Sequence, residues 1–205
     1  KPLIISTGMA TEDEIDDLVN TAKDAGCTNL VLLHCISSYP APVEQSNLHT
    51  INDIAKRWQV IPGLSDHTLG VTVAITAVAL GACVIEKHFT LSKLQSGPDH
   101  AVSVEPYELG ELVKGCDAVY QARGDERKIF PEEECIVVWA RESVVSEKDI
   151  SAGTRITAEM VWVKRPSPGE GAIAAKDLES IIGKVAKVDI SKDKQISVSA
   201  KRETR

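Results

Sequence analysis

The stretch GLSDHTLGVTVAITAVALGACVIEKHFTL, residues 63–91, holds two histidines, His67 and His88, each where an apolar run meets a polar turn. The middle of it, VTVAITAVALG, has the length of a helix. The flanking segments VIPGLS (60–65) and CVIEKHFTL (83–91) read as short buried strands. Strand, helix and strand in that order form a crossover unit with two parallel strands. Working outward, the rhythm repeats. PLIIS is a strand, followed by the amphipathic helix TEDEIDDLVNTAKDAG, which a capping box of Thr11 and Glu14 opens and Gly26 stops. NLVLLHC is the next strand, and NLHTINDIAKRW is a helix with Leu48, Ile51, Ile54 and Ala55 on one face. EPYELGELVKGCDAVYQARG is the fourth helix, closed by Gly124. Strands so uniformly apolar are expected to be covered on both faces, as in a parallel sheet.

Successive strand-helix units fit either an open doubly wound sheet or half of a (β/α)8 barrel. In a barrel the chemistry gathers where each strand ends, because the loops that follow open onto one face. The polar residues sit at those places: Ser6-Thr7-Gly8, His34 to Tyr39, Ser65-Asp66-His67 and Glu86-Lys87-His88. No GxGxxG or GxxxxGK[ST] loop follows a strand, which counts against a nucleotide-binding doubly wound sheet. The half-barrel fits better.

Composition narrows the function. Against 30 Asp and Glu stand 23 Lys and Arg, a net charge of −7. A nucleic-acid partner would need a basic stripe, and the basic clusters are only Lys164-Arg165 and Lys201-Arg202. The longest apolar run, Val71 to Leu80, is too short to span a bilayer. The opening residues do not read as a signal peptide. Five cysteines (27, 35, 83, 116, 135) without CxxC spacing read as buried thiols of a cytoplasmic protein. Cys35, at a strand end, is an open candidate for a reactive thiol.

Residues 124–135, GDERKIFPEEEC, read as a charged linker between a domain at 1–123 and another at 136–205. The second domain mixes short β-branched runs with Gly and Ser turns. DISAGTRIT (149–157) and DISKDKQIS (189–197) share D-I-S-x-x-x-x-I-[ST], 40 residues apart. That repeat points to a small β-rich domain with internal pseudo-symmetry.

Neighbouring strands lie about 4.8 Å apart, so His67 and His88, ending consecutive strands, can aim at one point. Two imidazoles with Asp66, Glu86 and Asp99 nearby suit a divalent ion that keeps open positions for water and a substrate oxygen, as in a catalytic site. The plain alternative is that each histidine only hydrogen-bonds in its loop. Ser6, Ser37 and Ser65, at three strand ends, can donate hydroxyls to a phosphate or carboxylate, although serines are common in loops. Asp99, on the SGPDH turn, either binds a sugar hydroxyl or caps the turn. Arg165 precedes Pro166 and a glycine-rich loop; it is either a solvated group or an arm that reaches into another site.

Taken together, STGM (6–9), LLHCISSYPAP (32–42), GLSDHTLG (63–70), VIEKHFTL (84–91), GPDHAVSVEP (97–106) and WVKRP (162–166) resemble the sialic acid synthase family, in that family's order. The C-terminal segment resembles its antifreeze-like (SAF) domain. The resemblance implies an α/β fold, the second half (strands 5–8) of a TIM barrel followed by the small SAF domain. It also implies a transferase that condenses phosphoenolpyruvate with an N-acetylmannosamine-type sugar to a nine-carbon 2-keto acid, releasing phosphate. His67 and His88 match that family's metal ligands, for Mn²⁺ or Mg²⁺, with Glu86 beside them in the catalytic set. Ser6, Ser37 and Ser65 match positions that contact phosphoenolpyruvate, and Tyr39, Glu86 and Asp99 match positions that face the amino sugar. Arg165 matches an arginine that enters the partner's barrel in a domain-swapped homodimer. Two positions depart from the pattern: Ile36 stands where a threonine is usual, and Ser37 where some members have asparagine. The chain is expected to begin at the family's fifth strand. It would then be inactive alone and would need another chain, or more of its own, to complete the barrel. Two other readings stay open. One is a non-catalytic carbohydrate- or protein-binding module with a vestigial half-barrel. The other is a metal-dependent aldolase or hydrolase using Lys87.

Overall fold

The computed structural model describes residues 1–197, so Lys201-Arg202 and the end of the expected 136–205 domain lie outside the described residues. The chain divides into two compact units, Lys1–Asp125 and Glu126–Arg205.

In the first unit β1 (Leu3–Ser6), β2 (Leu30–Cys35), β3 (Ile61–Asp66) and β4 (Val84–Lys87) form one parallel sheet in the order β1-β2-β3-β4. The crossovers are α1 (Glu12–Asp24), α2 (Thr50–Trp58) and α3 (Thr72–Ala79), and α4 (Pro106–Ala122) follows β4. Helix α1 starts where its cap directs. Thr11 accepts from the Glu14 amide, Glu14 accepts from the Thr11 amide at 2.7 Å, and Gly26 closes the end at φ +81°.

Strand alternation sorts the sheet into two faces. Leu30, Leu32 and Ile5 pack with Ile15, Val19, Ile54 and Trp58 of α1 and α2, while Leu64 and Ile85 pack with Ile51, Val73 and Ala77. The other face carries Leu33, Gly63 and Val84 in register, then Cys35, Ser65 and Glu86. Gly63 is obligatory there. A Cβ at that position would lie 2.4 Å from Leu33 Cδ2 and 2.6 Å from the Val84 carbonyl. Coverage on both faces holds for β2 but not for β1, where Leu3 and Ile4 are 41% and 54% exposed. No helix of the described residues is long and apolar enough to cross a membrane.

The second unit departs from the expected linker at 124–135. Residues Pro131–Ala140 form a helix, α5. Pro131 sits at its first position, three glutamates fill its first turn, and Glu133 accepts from the Phe130 amide at 2.9 Å. Charge that reads as solvated linker is therefore helix-start chemistry. The helix belongs to this unit, because Ser167 donates its amide and its hydroxyl to the Val138 and Val137 carbonyls. The antiparallel pair β5 (Ser143–Ser146) and β6 (Val161–Lys164) packs over a core of Val144, Ile150, Ile156, Val161, Ile173 and Ile196. The D-I-S repeat is real in three dimensions. Ile150 and Ile190 exchange backbone hydrogen bonds at 2.8 Å. Asp149 accepts from the Lys192 amide, and Asp189 from the Ala152 amide. Each copy's aspartate caps the other copy's turn.

All five cysteines are free. Cys35 is buried as expected, but Cys83 and Cys135 are exposed, so burial does not describe the set.

Candidate active site

Because the strands of the first unit are parallel, their C-terminal ends share one edge of the sheet. His67 follows β3 directly and His88 follows β4 directly. By alternation both continue the face of Ser65 and Glu86. Their rings meet edge to face, with centroids 5.2 Å apart and planes at 82°. Tyr39, from the loop after β2, lies beside both, 4.2 Å from the His67 ring and 5.6 Å from that of His88. Three of the residues singled out in the sequence thus come together.

Donor chemistry fixes the His67 tautomer. Its Nδ1 lies 2.9 Å from the Ile36 carbonyl, which can only accept, so Nδ1 carries the proton and Nε2 the lone pair. An imidazole oriented by a carbonyl in this way is the arrangement found behind metal-binding histidines. With nitrogen–metal bonds near 2.1 Å, two imidazoles on one ion at a right angle have centroids ~4.7 Å apart, and wider angles lengthen that. The observed 5.2 Å falls in this span. Among the described residues no group of three or more His, Cys, Asp and Glu is arranged to hold a metal. What meets at these strand ends is the pair of imidazoles. The unusual side chain of Ile36 has no bearing on this contact, since its backbone holds His67.

Ser65 donates to Glu86 Oε1 at 2.7 Å, so this pair faces the same side as the histidines. Ser37 lies over Gly8. A Cβ on that glycine would sit 2.3 Å from Ser37 Oγ, which is why the STGM loop needs glycine there. Ser37 Oγ is also 3.9 Å from Cys35 Sγ, itself 3.8 Å from His67 Nδ1. Ser6 ends β1 and is exposed. Asp99 lines a cleft of about 290 Å³ with His88, Phe89, Pro98, His100 and Ser103. Its side chain makes no capping hydrogen bond to the short helical turn that follows, so the capping alternative fails. Arg165 lies in the second unit, exposed, with its guanidinium 5.5 Å from the centre of the Trp139 ring.

Two expectations are corrected. Asp66 is not among the carboxylates facing the histidines. Alternation turns it to the helix-covered face, where Oδ2 takes a 2.7 Å ion pair from Lys87 and Oδ1 accepts from the amide and hydroxyl of Thr68. Lys87 is equally committed, bonding Asp66 and the Thr68 carbonyl with its side chain 3% exposed. A buried, ion-paired amine is not placed to form a Schiff base, which takes away the lysine that the aldolase reading relied on. The period-2 phase of SDH against EKH carried this signal. His34, also at a strand end, belongs to the packing: its Nε2 donates to the Ser46 carbonyl at 2.9 Å, and burial lowers its basicity.

Comparison with known proteins agrees with this architecture. Residues 1–128 match the NeuB family and residues 141–199 the SAF domain. The chain is 40% identical over 199 residues to the N,N'-diacetyllegionaminic acid synthase of Campylobacter jejuni, covering 96% of this chain and 59% of that protein. It is 36% identical over 195 residues to the N-acetylneuraminate-9-phosphate synthase of Mus musculus, covering 94% and 54%. The crystal structure of the N-acetylneuraminic acid synthetase of Leptospira borgpetersenii, in complex with citrate, matches with a TM-score of 0.62 at 33% identity, covering 66% of this chain and 48% of that one. The chain spans a little over half the length of these curated relatives.

Proposed function

The chain belongs to the NeuB family and carries a SAF domain, and from this premise we propose that it supplies the metal-binding side of a nonulosonic acid synthase. The reaction is the condensation of phosphoenolpyruvate with an N-acetylmannosamine-type sugar. C3 of phosphoenolpyruvate bonds to the aldehyde carbon, water adds at C2, and the C2–O bond to phosphate breaks. The products are a 2-keto acid and inorganic phosphate. The observation that carries the reading is the Tyr39, His67 and His88 cluster at adjacent parallel strand ends, with the His67 tautomer fixed by Ile36.

His67 and His88 would hold Mn²⁺ or Mg²⁺, which when bound supplies Lewis acidity toward the sugar's aldehyde oxygen. The remaining groups bind and orient. Ser6 and Ser37 offer hydroxyls to the phosphate and carboxylate of phosphoenolpyruvate, while Ser65, whose one hydroxyl hydrogen goes to Glu86, borders that substrate and orients the carboxylate beside it. Glu86, tethered by Ser65 through Oε1, keeps Oε2 for a sugar hydroxyl, and Asp99 accepts another from the cleft beside His88. Tyr39, exposed and beside both imidazoles, faces the amino sugar. Arg165 reaches the barrel of a second copy in a domain-swapped homodimer.

In this reading the four strands are one half, strands 5–8, of a closed barrel. The support is the exposed Ile4 of the edge strand β1, on the face of Val31 and Leu33 that a closed barrel would cover, and the share of each relative that the chain matches. The test follows phosphate release from phosphoenolpyruvate with N-acetylmannosamine and Mn²⁺. Turnover is expected only when a polypeptide supplying four further strand-helix units is added, and it should disappear in His67→Ala. Robust turnover by the 205-residue chain alone would refute the incompleteness. A complemented, folded assembly without turnover would favour a binding module.

A further inference from the structure

The ion pair between Asp66 and Lys87 is the most buried charged contact among the described residues, with side-chain exposures of 1% and 3%. Two ions taken out of water at this depth cost more in desolvation than an apolar pair of the same volume. Holding β3 to β4 does not require them, because the strands are already in register from Gly63–Val84 to Asp66–Lys87. That last rung is where both histidine loops begin.

The hydrogen bonds around it converge on one residue. Asp66 Oδ1 accepts the Thr68 amide at 2.9 Å and the Thr68 hydroxyl at 2.8 Å, which closes a tight turn about His67. Lys87 Nζ donates to Asp66 Oδ2 and to the Thr68 carbonyl, both at 2.7 Å, and so grips the chain on either side of His67. The next residue after Lys87 is His88. A continuous set of charge-assisted bonds therefore ties the His67 turn to the backbone that presents His88, just past the end of the ladder.

We infer that Asp66 and Lys87 are positioning residues, and that their ion pair sets the separation of the His67 and His88 rings from the opposite face of the sheet. The inference rests on the proposal that these rings share an ion. It assigns the pair a task distinct from stability: an apolar replacement can hold the strands together but cannot fix the turn about His67 to the residue before His88.

The test uses Mn²⁺ alone with the 205-residue chain, reading free Mn²⁺ by electron paramagnetic resonance and the fold by circular dichroism and thermal midpoint. Four proteins are compared with wild type: His67→Ala, His88→Ala, the double variant Asp66→Asn with Lys87→Met, and Thr68→Val. The double variant removes both charges, while the amide oxygen of the introduced asparagine can still accept from Thr68, so the fold is expected to survive. Its Mn²⁺ affinity should fall at least tenfold at an unchanged thermal midpoint, in the range seen when groups behind metal ligands are removed. Thr68→Val loses only one hydroxyl hydrogen bond and should weaken affinity about threefold, the low end of what one such bond is worth, a result that decides the matter if the double variant does not fold. Wild-type affinity in the folded double variant, or in Thr68→Val should the double variant fail to fold, with binding lost in both histidine variants, overturns the inference and leaves the ion site standing. A wild-type chain that binds no Mn²⁺ removes the ion site and the inference with it.

Discussion

His34 and His67 are the same side chain at the ends of neighbouring strands, yet strand phase gives them different work. His34 shares the helix-covered face with Leu32, and burial there holds its pKa below the ordinary 6.5 despite the bond to Ser46. The consequence for stability has a definite sign. An unfolded chain takes up the proton near pH 6.5 while the folded one resists it, so this contribution is complete above that pH and fades as pH falls. Replacing His34 by glutamine, whose amide can still donate to Ser46, should flatten the fall in thermal midpoint between about pH 7.5 and 5. Equal slopes for the two proteins would contradict this role. The phase that separates the two histidines is hidden in the sequence, because LVLLHC is apolar on both faces until helices dock on one of them. In SDH and EKH the alternation is visible, and it alone sends Asp66 and Lys87 away from the site.

At the scale of elements, the four strand-helix units are legible from period and caps, and the candidates Ser6, Ser65, His67, Glu86 and His88 lie at or next to strand ends, whereas Asp99 lies well beyond β4 and Arg165 in the second unit. Boundaries are less so. CVIEKHFTL reads as one unbroken strand, but β4 pairs only over Val84–Lys87, because the chain leaves the ladder at His88 and Phe89 pairs instead with Val104. Helix α5 escapes a sequence reading because its first turn of glutamates looks like solvent-facing linker, whereas the helix dipole makes acidic residues favourable there. Gly63 is where packing leaves no choice. Gly63→Ala forces a methyl against the Val84 carbonyl and Leu33, and should lower stability by about 1–3 kcal/mol. Urea unfolding reports it if Trp139 and Trp162 are replaced by phenylalanine, leaving Trp58 as the reporter of the first unit. An unchanged midpoint would mean that β3 and β2 are not packed this closely.

At the scale of the whole molecule, the two units answer to different physics. The second is closed by its own repeat, two D-I-S turns capping each other, and this symmetry is legible because the same pattern recurs at a fixed spacing. The first leaves Leu3 and Ile4 of β1 exposed and gathers its polar groups at one end of the sheet. What no sequence pattern can supply is the distance between the two imidazoles, since it depends on where β3 and β4 end relative to each other. The shared ion stands or falls on that distance. Crystals of the chain grown with MnCl₂ and measured at the manganese edge should show one anomalous peak within bonding distance of a ring nitrogen of both His67 and His88. A peak on one ring only, or none at the pair, would contradict it.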